Sequence, residues 1–173
     1  VVLVTSHIAL RDVPAALDIA SVRDTIVITH RHLRLWWGLQ RPKLAVAALN
    51  PHAGDGGVYG DEEETILAPA IRKARASRID AIGPVPADAL FSAMGPEQDA
   101  VIALYHDQGL IPIKQKDVHG AVNVTLGLPF VRTSPDHGTA FDLAGKASAD
   151  PRSMRAALKL AIQLAPRHRS LQA

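Results

Sequence analysis

Five short apolar runs, near 1–5, 43–49, 79–82, 100–105 and 121–126, alternate with stretches whose apolar positions recur at helical spacing, near 13–20, 22–37, 62–75, 87–94 and 151–165. An apolar run of strand length reads as a strand buried on both faces, and its alternation with helices points to a sheet covered by helices. The pattern predicts an α/β fold, a mixed or parallel sheet flanked by helices.

Helix ends carry their own chemistry. Asp61 and Glu64 form a capping-box-like pair, Glu62 and Glu63 suit the positive end of a helix, and Arg72, Lys73 and Arg75 suit the opposite end. Between them Ile66, Leu67, Ala70, Ile71 and Ala74 fall on one stripe. Ser21 with Asp24, and Asp150 with Pro151, predict two further helix starts. Ala87, Leu90, Phe91 and Met94 repeat at helical spacing and read as core. Leu33, Leu35, Trp36, Trp37 and Leu39 spread apolar surface over more than one side of their helix, which requires two neighbours: a second subunit, or a central place within one. Residues 83–86 have turn chemistry, and 111–120 reads as a loop.

At 173 residues and 47% apolar, the chain suits one folded domain, with residues 1–165 as its body and 166–173 as a tail. Nineteen basic against seventeen acidic residues leave a net charge of +2, which gives no reason to expect a nucleic-acid partner. The basic runs His30-Arg31-His32-Leu33-Arg34 and Arg167-His168-Arg169 read as a solvated helix face and a frayed end. With no cysteine, any metal must be held by histidine, carboxylate or water, and the same absence fits a cytoplasmic setting. No apolar run has the length of a membrane span, and the start lacks a signal-peptide pattern. The chain begins at Val1, inside or beside a strand, and reads as a piece of something longer.

The chemistry sits where apolar runs end. Val-Val-Leu-Val-Thr is followed by His7, Leu-Ala-Val-Ala-Ala-Leu by His52 and Val-Ile-Ala-Leu-Tyr by His106, with at most two residues between. Open α/β sheets bind ligands beyond the carboxyl ends of their strands. Three parallel strands in one sheet would therefore bring three imidazoles to one edge, where they could converge on a divalent metal. A single histidine in such a place is more often a hydrogen-bonded structural residue; three in equivalent places favour the metal. Asp12, Asp55 or Asp107 would serve as acceptors for the far ring nitrogens. Around His52, the run Asn50-Pro51-His52-Ala53-Gly54-Asp55-Gly56-Gly57 lets backbone amides approach a ligand, without the Gly-Lys-Ser/Thr ending of a P-loop.

Further on, Lys114, Asn123 and Arg132 offer a point cation, an amide and a forked guanidinium, a set that suits a small anionic substrate bearing phosphate or carboxylate. Surface solvation is the alternative reading for Lys114, and a weaker one for Arg132, which lies in the apolar setting Leu-Pro-Phe-Val-Arg-Thr-Ser. The small and hydroxyl residues from Ser134 to Lys146 suit a loop that accepts a flat ring and a ribose. No Gly-x-Ser-x-Gly nucleophile elbow accompanies them.

Asn-Pro-His-Ala-Gly-Asp-Gly-Gly, Tyr-His-Asp-Gln-Gly, Val-Asn-Val-Thr-Leu-Gly-Leu-Pro-Phe-Val-Arg-Thr-Ser and Asp-His-Gly-Thr-Ala resemble the 4-hydroxythreonine-4-phosphate dehydrogenase family of pyridoxal phosphate synthesis. The match runs in order from Val1 to about Ala165. It implies a fold like that of isocitrate and isopropylmalate dehydrogenases and a homodimer with its site at the interface. By the same resemblance His7, His52 and His106 hold a divalent metal (Zn, Mg, Co or Mn), and Lys114, Asn123 and Arg132 bind substrate. The stretch carrying His137, Gly138, Thr139, Ala140 and Asp142 is similar to the adenosine-binding loop of those relatives and implies NAD or NADP. The implied reaction is oxidation and decarboxylation of 4-phosphohydroxy-L-threonine to 3-amino-2-oxopropyl phosphate. Family members carry a segment ahead of this one that adds substrate contacts. Val58-Tyr59 and residues 115–119 vary within the family, which leaves room for a sister dehydrogenase acting on a phosphorylated sugar acid or a cyclic dihydrodiol carboxylate. Outside that class stand a metal-dependent hydrolase and a metal-binding dimerisation module with no activity by itself, the latter being the expectation for this chain in isolation because the segment ahead adds substrate contacts.

Overall fold

A computed structural model of the chain describes residues 1–92, 97–117 and 119–169. The strands β1 (Val2–Leu3), β2 (Lys43–Ala47), β3 (Asp80–Val85) and β4 (Ala100–Ala103) form one sheet in the order β1-β4-β2-β3, with every neighbouring pair parallel. Side chains alternate across it, so Leu44, Val46, Ile102 and Leu104 face one way and Ala45, Ala47 and Val101 the other. The first face is covered by Val13 of helix α1 (Val13–Ala16), Val22 and Ile26 of α2 (Ile19–Trp37), and Ala70, Ile71 and Ala74 of α3 (Ala68–Ala76). Leu90 of α4 (Ala87–Leu90) and the longer α5 (His106–Lys116) cover the second. Burial on both sides is what a parallel sheet requires.

The distance between α5 and the sheet is set by Gly109. A Cβ there would lie 2.6 Å from Leu3 Cδ2, 2.8 Å from Val1 Cγ1 and 3.2 Å from Ala103 Cβ. A residue without a side chain is what lets this helix lie on the β1–β4 ladder.

A second, antiparallel unit pairs β5 (Val122–Thr125) with β6 (Arg132–Pro135), in the register Asn123 to Ser134 and Thr125 to Arg132. Helix α6 (Arg152–Arg169) packs on this ribbon and on α2, and Thr133 Oγ1 donates to the Ala157 carbonyl at 2.9 Å. Because Thr133 turns towards α6, the alternate positions Asn123, Thr125, Arg132 and Ser134 share the opposite face. Among the described residues no helix is long and apolar enough to cross a membrane.

Several boundaries differ from the sequence pattern for local reasons. The helix expected over 13–20 stops at Ala16, because Leu17 is extended and Asp18 opens the next one. That start is a capping box of Asp18 and Ser21, three residues ahead of the Ser21–Asp24 pair: the Ser21 amide donates to Asp18 Oδ1 at 2.7 Å and the Asp18 amide to Ser21 Oγ at 3.2 Å. Asp61 does not cap with its carboxylate; its carbonyl accepts from Glu64 and Thr65, and a π-helical turn, Glu63–Leu67, leads into α3. The expected loop over 111–120 is helical as far as Lys116, and β6 lies in a stretch read as irregular. The expected helix over 87–94 ends at Leu90 with Phe91 as its cap, and Met94 lies outside the described residues.

Trp36 is fully buried within the chain, edge-on to His32 with ring centroids 4.5 Å apart, so one of the two apolar sides of α2 is satisfied without a partner. His32, read as part of a solvated basic face, is itself buried. Its Nδ1–H donates to the Ile28 carbonyl at 2.8 Å while Nε2 accepts the Gly127 amide at 3.2 Å, two roles that one neutral tautomer fills. His32 therefore joins α2 to the connection between β5 and β6.

A candidate active site at the carboxyl edge of the sheet

The sheet order places the three histidine segments side by side. β1, β4 and β2 are consecutive neighbours, and beyond their carboxyl ends come His7, His106 and His52 in that spatial order. The β1–β4 ladder stays closed past the strand ends: the Val4 amide donates to Ala103 at 2.9 Å, the Thr5 amide to Leu104 at 3.1 Å, and Thr5 Oγ1 to Leu104 at 2.7 Å. The rings of His7 and His106 accordingly approach, with centroids 5.7 Å apart. His106 opens α5, and its Nδ1 lies 2.6 Å from Asp107 Oδ1, which leaves Nε2 free to meet an ion. Of the three proposed acceptors, Asp107 is the one seated on a histidine.

His52 is held differently. It sits in a 3-10 turn, Pro51–Gly54, whose backbone runs through left-handed conformations from His52 (φ 53°) and Ala53 (φ 54°) to Asp55 (φ 45°), and on through Gly56 and Gly57. Left-handed backbone costs a non-glycine residue about 1–2 kcal/mol, so this turn persists only because its surroundings impose it. The buried Glu63 fixes the two residues that lead into it and lies against Gly54 within it. Its Oε1 accepts the amides of Leu49 at 2.8 Å and Asn50 at 2.7 Å, and its Oε2 accepts Asn50 Nδ2 at 2.9 Å. Asn50 Nδ2 also donates to Glu62 Oε2 at 2.7 Å. These carboxylates, read as partners of the helix dipole, are anchors for the turn. Nothing in the sequence separates Glu63 from its acidic neighbours, since burial alone distinguishes it.

The His52 ring packs near Tyr59, with centroids 6.1 Å apart. Among the described residues no group of three or more His, Asp or Glu gathers within one chain to hold a metal. The chain thus brings His7 and His106 together and does not bring His52 into a three-member set with them.

Two imidazoles bound to one ion at Zn–N distances of about 2.0–2.1 Å and a tetrahedral angle have centroids roughly 5 Å apart. The observed 5.7 Å is of this size, and imidazole nitrogen is a donor type that divalent ions of this kind accept.

One face of α5 extends the edge into a shallow cavity of about 400 Å³ lined by His106, Asp107, Leu110, Ile111, Lys114 and Gln115. Lys114 Nζ donates to Asp136 Oδ2 at 2.9 Å and to the Asp136 carbonyl at 2.6 Å, which ties α5 to the loop ahead of His137. An ammonium carries three donors, so one remains for a ligand. Asn123 is exposed on β5. Arg132 departs from the expectation of an apolar, enclosed site: it is exposed on β6 and donates to Thr125 Oγ1 at 2.8 Å, so its charge stays in water. His137, Gly138, Thr139, Ala140 and Asp142 lie on an exposed loop and 3-10 turn, and a Cβ at Gly138 would meet nothing within 4 Å.

Fold and edge together define an α/β protein with a parallel sheet and a candidate ligand site, marked by histidine segments, beyond its strand ends. Residues 1–161 match the pyridoxal phosphate biosynthetic protein PdxA family, and the chain belongs to it. It is 56% identical over 169 residues, 97% of its length, to 4-hydroxythreonine-4-phosphate dehydrogenase of Roseobacter denitrificans, and 54% identical over 166 residues, 95% of its length, to that of Geobacter metallireducens. It covers 52% and 49% of those proteins, so it spans about half the length of the curated relatives it matches. The crystal structure of 4-hydroxythreonine-4-phosphate dehydrogenase from Klebsiella pneumoniae superposes with a TM-score of 0.86 at 43% identity, over 94% of this chain and 49% of that one. A terephthalate 1,2-cis-dihydrodiol dehydrogenase from Burkholderia xenovorans gives 0.75 at 33% identity, over 93% of this chain and 51% of that one.

Proposed function

We propose that the chain supplies the metal-binding and anion-binding half of an NAD-dependent dehydrogenase that oxidises and decarboxylates 4-phosphohydroxy-L-threonine to 3-amino-2-oxopropyl phosphate. The observation that carries this reading is the placement of His7 and His106, with Asp107 behind the latter, on the same sheet edge and helix face as Lys114. When bound, a divalent ion supplies Lewis-acid polarisation of the substrate's hydroxyl oxygen, and NAD accepts the hydride. His7, His106 and His52 would hold the ion, with His52 coming from the same chain or from a second copy.

Lys114 offers its third donor to the substrate's anionic end, and Arg132 and Asn123, which share one face of the ribbon, add a guanidinium and an amide. The loop from His137 to Ala140, with Asp142, leaves a face open for the nucleotide, adjoining Asp136 and through it Lys114. Homodimerisation is supported by exposed apolar side chains beside the histidines: Ile8 and Leu10 after His7, Tyr59 against His52, and Ile111 in the cavity with His106.

The test is NADH formation by the purified protein with 4-phosphohydroxy-L-threonine and Zn, Mg, Co or Mn, coupled to detection of carbon dioxide. Turnover of a cis-dihydrodiol carboxylate in place of the phosphorylated amino acid would assign the chain to the chemistry named for its Burkholderia xenovorans neighbour. Hydrolysis without NADH would overturn both.

A further inference from the structure

The last β2–β4 pair is Val46 with Ile102. Two positions on, Ala48 and Leu104 would be the next partners in phase, yet no backbone bond joins them. The side-chain amide of Gln108, buried on the first turn of α5, stands between: Oε1 accepts the Leu104 amide at 2.7 Å and Nε2 donates to the Ala48 carbonyl at 2.7 Å. A ladder hydrogen bond has been replaced by a bonded insert one amide wide. On the other side of β4 the backbone ladder runs on to Thr5 without an insert. The two sides of β4 therefore differ, and so do the histidines beyond them: His7 is drawn to His106, and the segment leading to His52 is set apart by the insert.

We infer that Gln108 is a positioning residue for the metal site, fixing the gap between the β2 exit and β4 and hence the place of His52 relative to His106. The backbone groups of the β2 exit are divided between two buried side chains, with the Ala48 carbonyl on Gln108 and the amides of Leu49 and Asn50 on Glu63. Glu63 fixes the entry to the left-handed turn, and Gln108 sets where that turn stands along the sheet edge. A backbone ladder has one spacing, about 4.8 Å between strands, so a histidine segment that stands apart from the His7–His106 pair needs an insert of this kind. The inference rests on the proposed metal site and adds to it a residue that touches neither metal nor substrate.

The test titrates the purified chain with Co²⁺ alone, reading affinity and the visible absorption bands, with a thermal melt of each sample beside it. Wild type, H52A, Q108M and Q108N are compared. Met fills the same volume without either hydrogen bond, and Asn keeps the amide but is one methylene too short to span both backbones. Both Gln108 variants are expected to bind Co²⁺ about 10-fold or more weakly, as loss of an orienting group behind a metal ligand does. Their absorption bands are expected to move towards those of H52A. A residue that only stabilises the fold would lower the melting temperature and leave affinity and bands of the folded protein unchanged, and that result overturns the inference while the metal site stands. If Q108M does not fold, Q108N decides on the same readouts. Failure of wild type to bind Co²⁺ removes the metal site and this inference together.

Discussion

Replacing His32 with Phe and with Leu separates two contributions to the joint between α2 and the ribbon that carries Asn123 and Arg132. Phe keeps a ring against Trp36 but loses the Nδ1–H bond to the Ile28 carbonyl within α2 and offers the Gly127 amide no acceptor; Leu loses the ring contact as well. Losing the partner of a partly buried amide costs about 1–2 kcal/mol. The edge-on ring contact adds about 0.5–1.5 kcal/mol, lost only in the Leu variant. For a domain of this size each kcal/mol moves the melting temperature by about 2–4 °C. His32→Phe is therefore expected to melt roughly 2–8 °C below wild type and His32→Leu lower still, with faster hydrogen exchange at Gly127 and along 122–125 and 132–135 in both. The assay is a circular-dichroism melt paired with amide exchange. A Phe variant that matches wild type in melting and in exchange at Gly127 would refute the idea that this histidine holds the ribbon.

Two further substitutions test packing and charge. Gly109→Ala gains about 1 kcal/mol of helix propensity but drives a methyl into Leu3, Val1 and Ala103, and overpacking of this kind costs about 1–3 kcal/mol. The net expectation is a lower urea midpoint, and an unchanged or raised midpoint would show that α5 has room to shift. Asp150 is held well below the usual carboxylate range, first by hydrogen bonds from the Arg152 guanidinium at 2.6 and 2.8 Å and then by the Arg152 amide at 3.0 Å. A depressed carboxylate adds stability that is complete above its unfolded value, near 3.9, and is lost as the pH falls below that through its folded value. The difference in urea midpoint between wild type and Asp150→Asn should thus be constant near neutrality and close on acidification below about pH 4. A gap independent of pH would rule out this carboxylate as its source.

Much of this architecture is written in the chain, because a strand buried on both faces leaves an uninterrupted apolar run that few other elements produce. The places where the reading failed share a cause. Gly109 and Pro112 punctuate α5 and made its second half look like a loop, although the glycine serves close approach and helix α5 continues past the proline. His32 was hidden by the basic residues around it, yet Val22, Ile26, Thr29, His32 and Trp36 continue one stripe at spacings of three and four, which is what buries the ring. Arg132 was misplaced in the opposite sense, since apolar neighbours in sequence alternate across a ribbon and need not surround it. The adjacency of the three histidine segments was legible in the run-then-histidine pattern. The distances between them were not, because they depend on Gln108 and Glu63, two polar residues whose partners lie sixty and fourteen positions away.

Helix α5 carries His106 at its first residue and Lys114 eight positions later, both lining one cavity. At 1.5 Å per residue their backbones stand about 12 Å apart along the axis. Such a rod behaves as a gauge: a molecule grasped at both ends must have the matching reach, whatever lies in between. In the proposed site, shorter acids would touch one end and leave the other to solvent, so length would be a criterion of selection set by the helix itself.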